Sequence, residues 1–283
     1  MRSKYAFHKP NLKTMYEQPW KLALDAFQVF GNLYFVGNQD GASWLVDSGA
    51  GLILFDTNYP TADTLLIDSI WSLGFNPRNI VAIFHTHGHF DHFGATELLR
   101  ALSGAKVYLG EKDAEMFKEN PILAHTEDSD YAYLPVFEPD VLVKDDDMYT
   151  IGRTTIRCSA CPGHSPGATS YFFDVTDGER TLTAGLHGGA GLNTLCRTYL
   201  AEYGVNWRKD FVASLTGAME EKVDIFLGNH TPQNDTAGRR TRMLAGEKDA
   251  FVDSGAWKAF HEGMILKFKT MLDEEAAGTD MIE

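Results

Sequence analysis

The sequence predicts an α/β chain built as two β-sheets packed face to face, with helices on their outer sides. Three observations carry this. Strand-like and helix-like segments alternate through the chain in two halves, and each apolar sheet face or helix stripe needs a layer to bury against. No linker, repeat or low-complexity stretch separates the halves, so residues 1–283 read as one domain, with an N-terminal extension over 1–20 and a long helix over 256–277. Hydrophobic residues make up 44% and charged residues 23%, the balance of an ordinary globular chain.

The elements follow in order. "FQVFGNLYFVGN" and "SWLVDSGAGLILFDT" are rich in β-branched and aromatic residues and punctuated by Gly and Asn, the pattern of strands and turns. "TADTLLIDSIWSLGF" repeats apolar residues at three and four, with Thr61 as the expected N-cap and Gly74 at the end, so a helix is expected. "NIVAIFHT" is a short apolar run and reads as a buried strand. "ATELLRALSG" follows as a helix, "AKVYLG" as a strand and "EKDAEMFKEN" as a helix. The stretch 121–140 contains Pro121, Pro135 and Pro139 and is irregular; loops of that length often form lids or binding loops. "TTIRCSAC", "TSYFFDV", "RTLTAGL" and "VDIFLGN" read as strands, and "WRKDFVASLTGAMEE" and "GAWKAFHEGMILKFKTMLDEEA" as helices.

A formal net charge of −14 argues against a nucleic-acid partner, which needs a basic stripe. The local exception, Arg239, Arg240 and Arg242 in "GRRTR", reads as a solvated face. No apolar run approaches a membrane span, and the N-terminus lacks a signal-peptide core. As given, the chain reads as cytoplasmic, or periplasmic if a leader was removed. Three cysteines make no disulfide framework, and Cys158, in an alternating stretch, reads as a buried structural thiol. Nothing in the chain speaks to an oligomer.

The chemistry gathers in "HTHGHFDHFGA". Four of the chain's 10 histidines lie between His85 and His92. His87, His89, Asp91 and His92 fall on the turn between an apolar strand and a helix, where α/β architectures place their sites. Four imidazoles cannot all be core packing, because each buried ring needs its own hydrogen-bond partner. Imidazole with carboxylate and no thiolate suits zinc and other first-row metals. The cluster holds too many donors for one metal and too few for two. His164, in the turn "CPGHSPG", and His230, after the strand "DIFLG", both sit at strand ends and complete two sets of three. His85 is a candidate for orienting a ligand, and His125 could touch substrate from the irregular loop. His8 and His261 read as structural.

The set "THGHFDH", "PGHSPG" and a late strand-end histidine resembles the metallo-β-lactamase superfamily, over nearly the whole chain. That resemblance implies a four-layer αββα sandwich with a zinc centre at one edge. "GLILFDTNYP", "LGFNPRNIVAIFHTHGHFDH", "AKVYLGEKDAEMF", "DIFLGNH" and "AFVDSGAWKAF" are similar to the third subclass of the class B β-lactamases. The resemblance implies two zinc ions, the first on His87, His89 and His164 and the second on Asp91, His92 and His230. The reaction it implies is opening of a β-lactam, or a similar strained cyclic amide, by zinc-activated water. Asp91 would orient the nucleophile, and the partner would be a small-molecule substrate.

Many hydrolases of the superfamily carry a bridging Asp in a "GD" step. Here the matching stretch is "TLTAGLHGGAGLN", with Leu186 where the Asp would fall. The third subclass lacks the Asp too, which favours that branch. His187 next door either replaces the lost polar group or points away. Gly188, Gly189 and Gly191 suggest backbone packed tightly beside the site, and Tyr131 and Tyr133 are expected to shape the pocket with this loop. The rival reading is the same centre acting on another small ester, lactone or amide. A flavodiiron-like redox centre is disfavoured by His at position 89, and a scaffold without turnover by the complete donor set.

Overall fold

In this computed structural model the described residues are 1–6, 12–125 and 135–282. The first strand, β1 (Arg2–Ser3), pairs antiparallel with the last, β14 (Met281–Ile282), joining the two ends of the described chain.

The larger sheet has seven strands in chain order: β2 (Phe27–Phe30), β3 (Leu33–Phe35), β4 (Trp44–Asp47), β5 (Leu52–Phe55), β6 (Ile80–Phe84), β7 (Lys106–Gly110) and β8 (Val141–Val143). Pairing is antiparallel up to β5 and parallel from β5 to β8. The parallel part is covered on both faces, which is why "LILF" of β5 is apolar throughout. Its residues alternate, Leu52 and Leu54 toward the helices, Ile53 and Phe55 toward the second sheet. The smaller sheet has five strands, β9 (Met148–Ile151), β10 (Thr154–Ala160), β11 (Thr169–Thr176), β12 (Thr181–Leu186) and β13 (Ile225–Leu227).

Between the sheets lies an aromatic core including Trp44, Phe55, Phe84, Tyr171 and Phe173, with Phe55 and Phe173 stacked at 4.8 Å between centroids. Outside the sheets run α1 (Leu12–Glu17), α2 (Asp63–Ser72), α3 (Phe90–Phe93), α4 (Thr96–Ser103), α5 (Glu111–Glu119), α6 (Arg197–Tyr203), α7 (Arg208–Ala218), α8 (Thr236–Leu244) and α9 (Ala256–Ala277). α2 and α4 bury Leu66, Ile70 and Leu99 against β5, β6 and β7. Trp257 of α9 packs on Phe172 and Phe226 of the smaller sheet.

Several expectations need correction. Thr61 does not cap α2: its hydroxyl donates to the Met15 carbonyl, and Ala62 stands at the N-cap. The short strands β1, β8, β9 and β14 and the helices α1, α3, α6 and α8 are additional to the sequence reading, and α3 takes Asp91 and His92 off the expected turn. α8 carries "GRRTR", whose arginines are not merely solvated. Arg239 donates to the Ala250 carbonyl and Asp253, Arg240 to Asp25, and Arg242 pairs with Asp235 and Glu247. Cys158 and Cys161 are unbridged and buried, and burial pushes their thiols up to about 12 and about 11. Among the described residues, no helix is long and apolar enough to cross a membrane.

Candidate metal centre

The loop after β6 carries His85 to His89, and α3 follows at once, with Asp91 in its first turn and His92 one residue on. His164 lies in the turn from β10 to β11, and His230 follows β13. Three separate strand ends therefore converge on one edge of the sandwich. Two groups of potential donors result: His87, His89 and His164, and Asp91, His92 and His230, with the donor atoms of each group within 4.8 Å of one another. His89 Nδ1 lies 3.1 Å from His164 Nε2. Asp91 Oδ2 lies 3.7 Å from Nε2 of both His92 and His230. The two groups adjoin through the rings of His87 and His92, 4.1 Å apart.

The hydrogen bonds around these rings fix which nitrogen faces the centre. Thr86 Oγ1 donates its one proton to Asp56 Oδ2 at 2.7 Å. It must then accept from His87 Nδ1–H at 3.1 Å, which turns the His87 Nε2 lone pair inward. That Nε2 is buried and has no hydrogen-bond partner. His164 Nδ1–H donates to the Gly191 carbonyl at 2.9 Å, leaving Nε2 to the centre. His92 Nδ1–H donates to Asp56 Oδ2 at 2.8 Å, with the same result. These three rings are thus held by their outer nitrogens and offer their inner ones, the arrangement found around metal-ligating imidazoles. Glycine lets the last loop come this close: a Cβ on Gly191 would stand 2.7 Å from the His164 ring.

The electrostatics agree. Burial, reinforced by the neighbouring imidazoles, holds His87 and His89 well below the usual histidine range. Burial lowers His164 to about 3, against the opposing bond to Gly191. These rings are neutral at neutral pH, the form that ligates a metal. For Asp56, burial alone would raise the carboxyl, but His92 and His85 outweigh it and hold it at about 2. An ionised carboxylate is thus locked behind His92. The donor set, imidazole with one carboxylate and no thiolate, fits zinc.

A sequence model described as the metallo-beta-lactamase superfamily matches residues 36–177. The chain belongs to the metallo-β-lactamase superfamily. Among solved structures it is similar to BJP-1, a subclass B3 metallo-beta-lactamase of Bradyrhizobium japonicum, with 27% identity and a TM-score of 0.80, over 94% of this chain and 99% of that one. It is similar to the native FEZ-1 metallo-beta-lactamase of Legionella gormanii at 25% identity and a TM-score of 0.80, over 90% of this chain and 98% of that one. It also resembles a hydroxyacylglutathione hydrolase of Francisella tularensis subsp. novicida, 29% identical over 134 residues, 45% of this chain and 44% of that protein. The chain spans less than half the length of such curated relatives.

Within this metallo-β-lactamase fold the remaining candidates divide. His125 is buried, lines the cleft and lies 4.7 Å from the His89 ring, in a left-handed backbone conformation with φ 59°. His85 sits behind the centre, its Nε2 2.9 Å from Thr96 Oγ1 and its Nδ1 3.6 Å from Asp56. Leu186 is not at the substrate cleft: it is buried in the core between the sheets. Strand alternation then sends His187 the other way, under α9, where its Nδ1 lies 3.2 Å from both Ser170 Oγ and His261 Nε2. His187 therefore does not replace the missing carboxylate. Gly188 serves by its backbone, its carbonyl accepting from Asn229 Nδ2. Tyr131, Tyr133 and His8 lie outside the described residues.

The sequence reading missed Asp56, although a lone Asp directly after the buried run "LILF" was a usable signal. It also missed the cleft walls. The cleft holds about 360 Å³, with Phe260, Met264 and Lys267 of α9 on one side and Asn193 and Gln233 on others.

Proposed function

We propose that the protein is a zinc-dependent hydrolase that opens a β-lactam or a similar strained cyclic amide. The observation that carries this is the pair of three-donor groups at the cleft floor, with His87, His92 and His164 turned donor-inward by Thr86, Asp56 and Gly191. His87, His89 and His164 would hold one zinc ion, and Asp91, His92 and His230 a second. When bound, zinc supplies Lewis acidity and brings the pKa of water down to about 7.

The chain's own residues do the rest. Asp91, the one carboxylate among the six donors, orients the attacking water and accepts its proton. Asp56 keeps His92 in the tautomer that presents Nε2. Phe260 and Met264 give the substrate an apolar wall, and Lys267 puts a positive charge at the cleft for an anionic substrate group. The serine beside His164, Ser165, is buried with its hydroxyl donated to Asp113, so no covalent acyl intermediate is invoked.

Likeness to subclass B3 enzymes over nearly their whole length supports the cyclic amide. A second reading, hydrolysis of a small ester, lactone or thioester, is favoured by the curated relatives, among them hydroxyacylglutathione hydrolases. Leu186, buried where those enzymes' bridging carboxylate would fall, weighs against it. The test is a substrate panel: a chromogenic cephalosporin, a hydroxyacyl thioester of glutathione and a simple lactone, each with and without chelator. Chelator-sensitive turnover of the cephalosporin above the others is expected. Turnover of the thioester alone would move the assignment to the second reading.

A further inference from the structure

We propose that Asp113 is a positioning residue for the first donor group: a buried carboxylate clasp that locks the His87–His89 loop to the His164 loop. The inference rests on the donor assignment proposed above. Asp113 lies in the first turn of α5, where an acid would ordinarily serve its own helix end. Here it makes no cap bond to that helix. Its three hydrogen bonds go outward. Oδ2 accepts from the Gly88 backbone N–H at 2.7 Å and from Ser165 Oγ at 2.8 Å, and Oδ1 accepts from the Gly167 N–H at 2.6 Å. Gly88 lies between His87 and His89, and Ser165 directly follows His164. One side chain, fully buried, therefore bonds the backbone on both sides of the group. The approach is close enough that a Cβ on Gly167 would stand 2.2 Å from the Asp113 backbone nitrogen.

Asp113 bonds no residue of the second group, whose His92 is held by a different carboxylate, Asp56. Asp91 and His92 ride on α3, and His230 follows β13. The clasp therefore sets the geometry of one group and leaves the other alone. The Gly88 N–H points at one oxygen and the Gly167 N–H at the other, and neither can do anything but donate, so both oxygens must accept. An amide cannot do this: with its oxygen toward Gly88 and Ser165, its NH2 confronts the Gly167 N–H, and in the reverse orientation, although the Ser165 hydroxyl can turn to accept, its NH2 confronts the Gly88 N–H. Asp113→Asn keeps the shape and breaks the clasp.

The test uses zinc alone, by competition with a chromophoric chelator, in two backgrounds. His230→Ala leaves the first group, and His164→Ala leaves the second. In His230→Ala, Asp113→Asn is expected to weaken zinc binding about 10- to 100-fold, the range for loss of a residue supporting a ligand. In His164→Ala it is expected to change nothing. Equal losses in both backgrounds, or no loss in the first, would overturn the clasp. If the His230→Ala parent itself binds no zinc, the donor assignment fails and the clasp with it. Should circular dichroism show Asp113→Asn unfolded, Ser165→Ala removes one donor only. It should give a smaller loss confined to the first group, and no loss would overturn the proposal.

Discussion

His261 makes the protein lose stability as the pH falls from neutrality, by an amount the structure sets. The ring is fully buried in α9, with Nδ1 donating to the Trp257 carbonyl at 2.7 Å and Nε2 facing His187 Nδ1 at 3.2 Å. Neither nitrogen has room for a second proton without breaking a bond. Burial lowers its pKa from 6.5 to about 4, against the opposing bond to Trp257. Below pH 6.5 the unfolded chain gains a proton that the folded chain refuses until about pH 4, so stability present above 6.5 drains away across that window. The full difference is about 3 kcal/mol at 1.36 kcal/mol per pKa unit, of which about 2 kcal/mol has gone by pH 5. The assay is urea unfolding of the chelated protein at pH 7.5, 6 and 5, compared with His261→Gln. Buried histidines remote from His261 titrate alike in both proteins and cancel, and His187, which faces it, is held well below the usual histidine range chiefly by its own burial. The variant should be less stable at pH 7.5, and the gap should narrow by about 2 kcal/mol at pH 5. Parallel pH profiles would refute the reasoning.

Other outcomes follow from the same geometry. Asp91→Asn should lower kcat about 100- to 10,000-fold, the usual worth of a positioned general base, with the circular dichroism spectrum unchanged; near-normal turnover would remove Asp91 from its role. Asp56→Asn leaves at least one buried N–H, of His92 or Thr86, facing an amide NH2. It should destabilise the chelated protein by about 1–3 kcal/mol, read by urea unfolding, and weaken one of two zinc ions in a competition titration. Lys267→Ala should raise KM roughly 2- to 5-fold for a carboxylate-bearing substrate and leave its methyl ester unaffected, as befits an exposed charge; equal effects on both would deny Lys267 a part in recognition.

The layered fold and the histidine cluster were legible because their signals are local. An apolar strand ending in "HTHGHFDH" states its own position, and "LILF" announces a strand covered on both faces. What escaped depends on distant contacts. Asp113 reads as an ordinary acid in a helix first turn, and only the fold brings Gly88, Ser165 and Gly167 to it. The orientation of His187 was recoverable in principle. Once Leu186 is assigned to the inter-sheet core, period-two alternation along β12 turns its neighbour toward α9. The arginines of α8 look solvated in sequence because their partners, Asp25, Asp253 and the Ala250 carbonyl, come from other elements.

The central claim is that six side chains from three strand ends hold two metal ions at the cleft floor. Anomalous scattering at the zinc edge, from crystals of the zinc-loaded protein, tests it most directly. The account predicts two peaks, one among His87, His89 and His164 and one among Asp91, His92 and His230. A single peak shared between the groups, or zinc bound elsewhere with both groups empty, would contradict it.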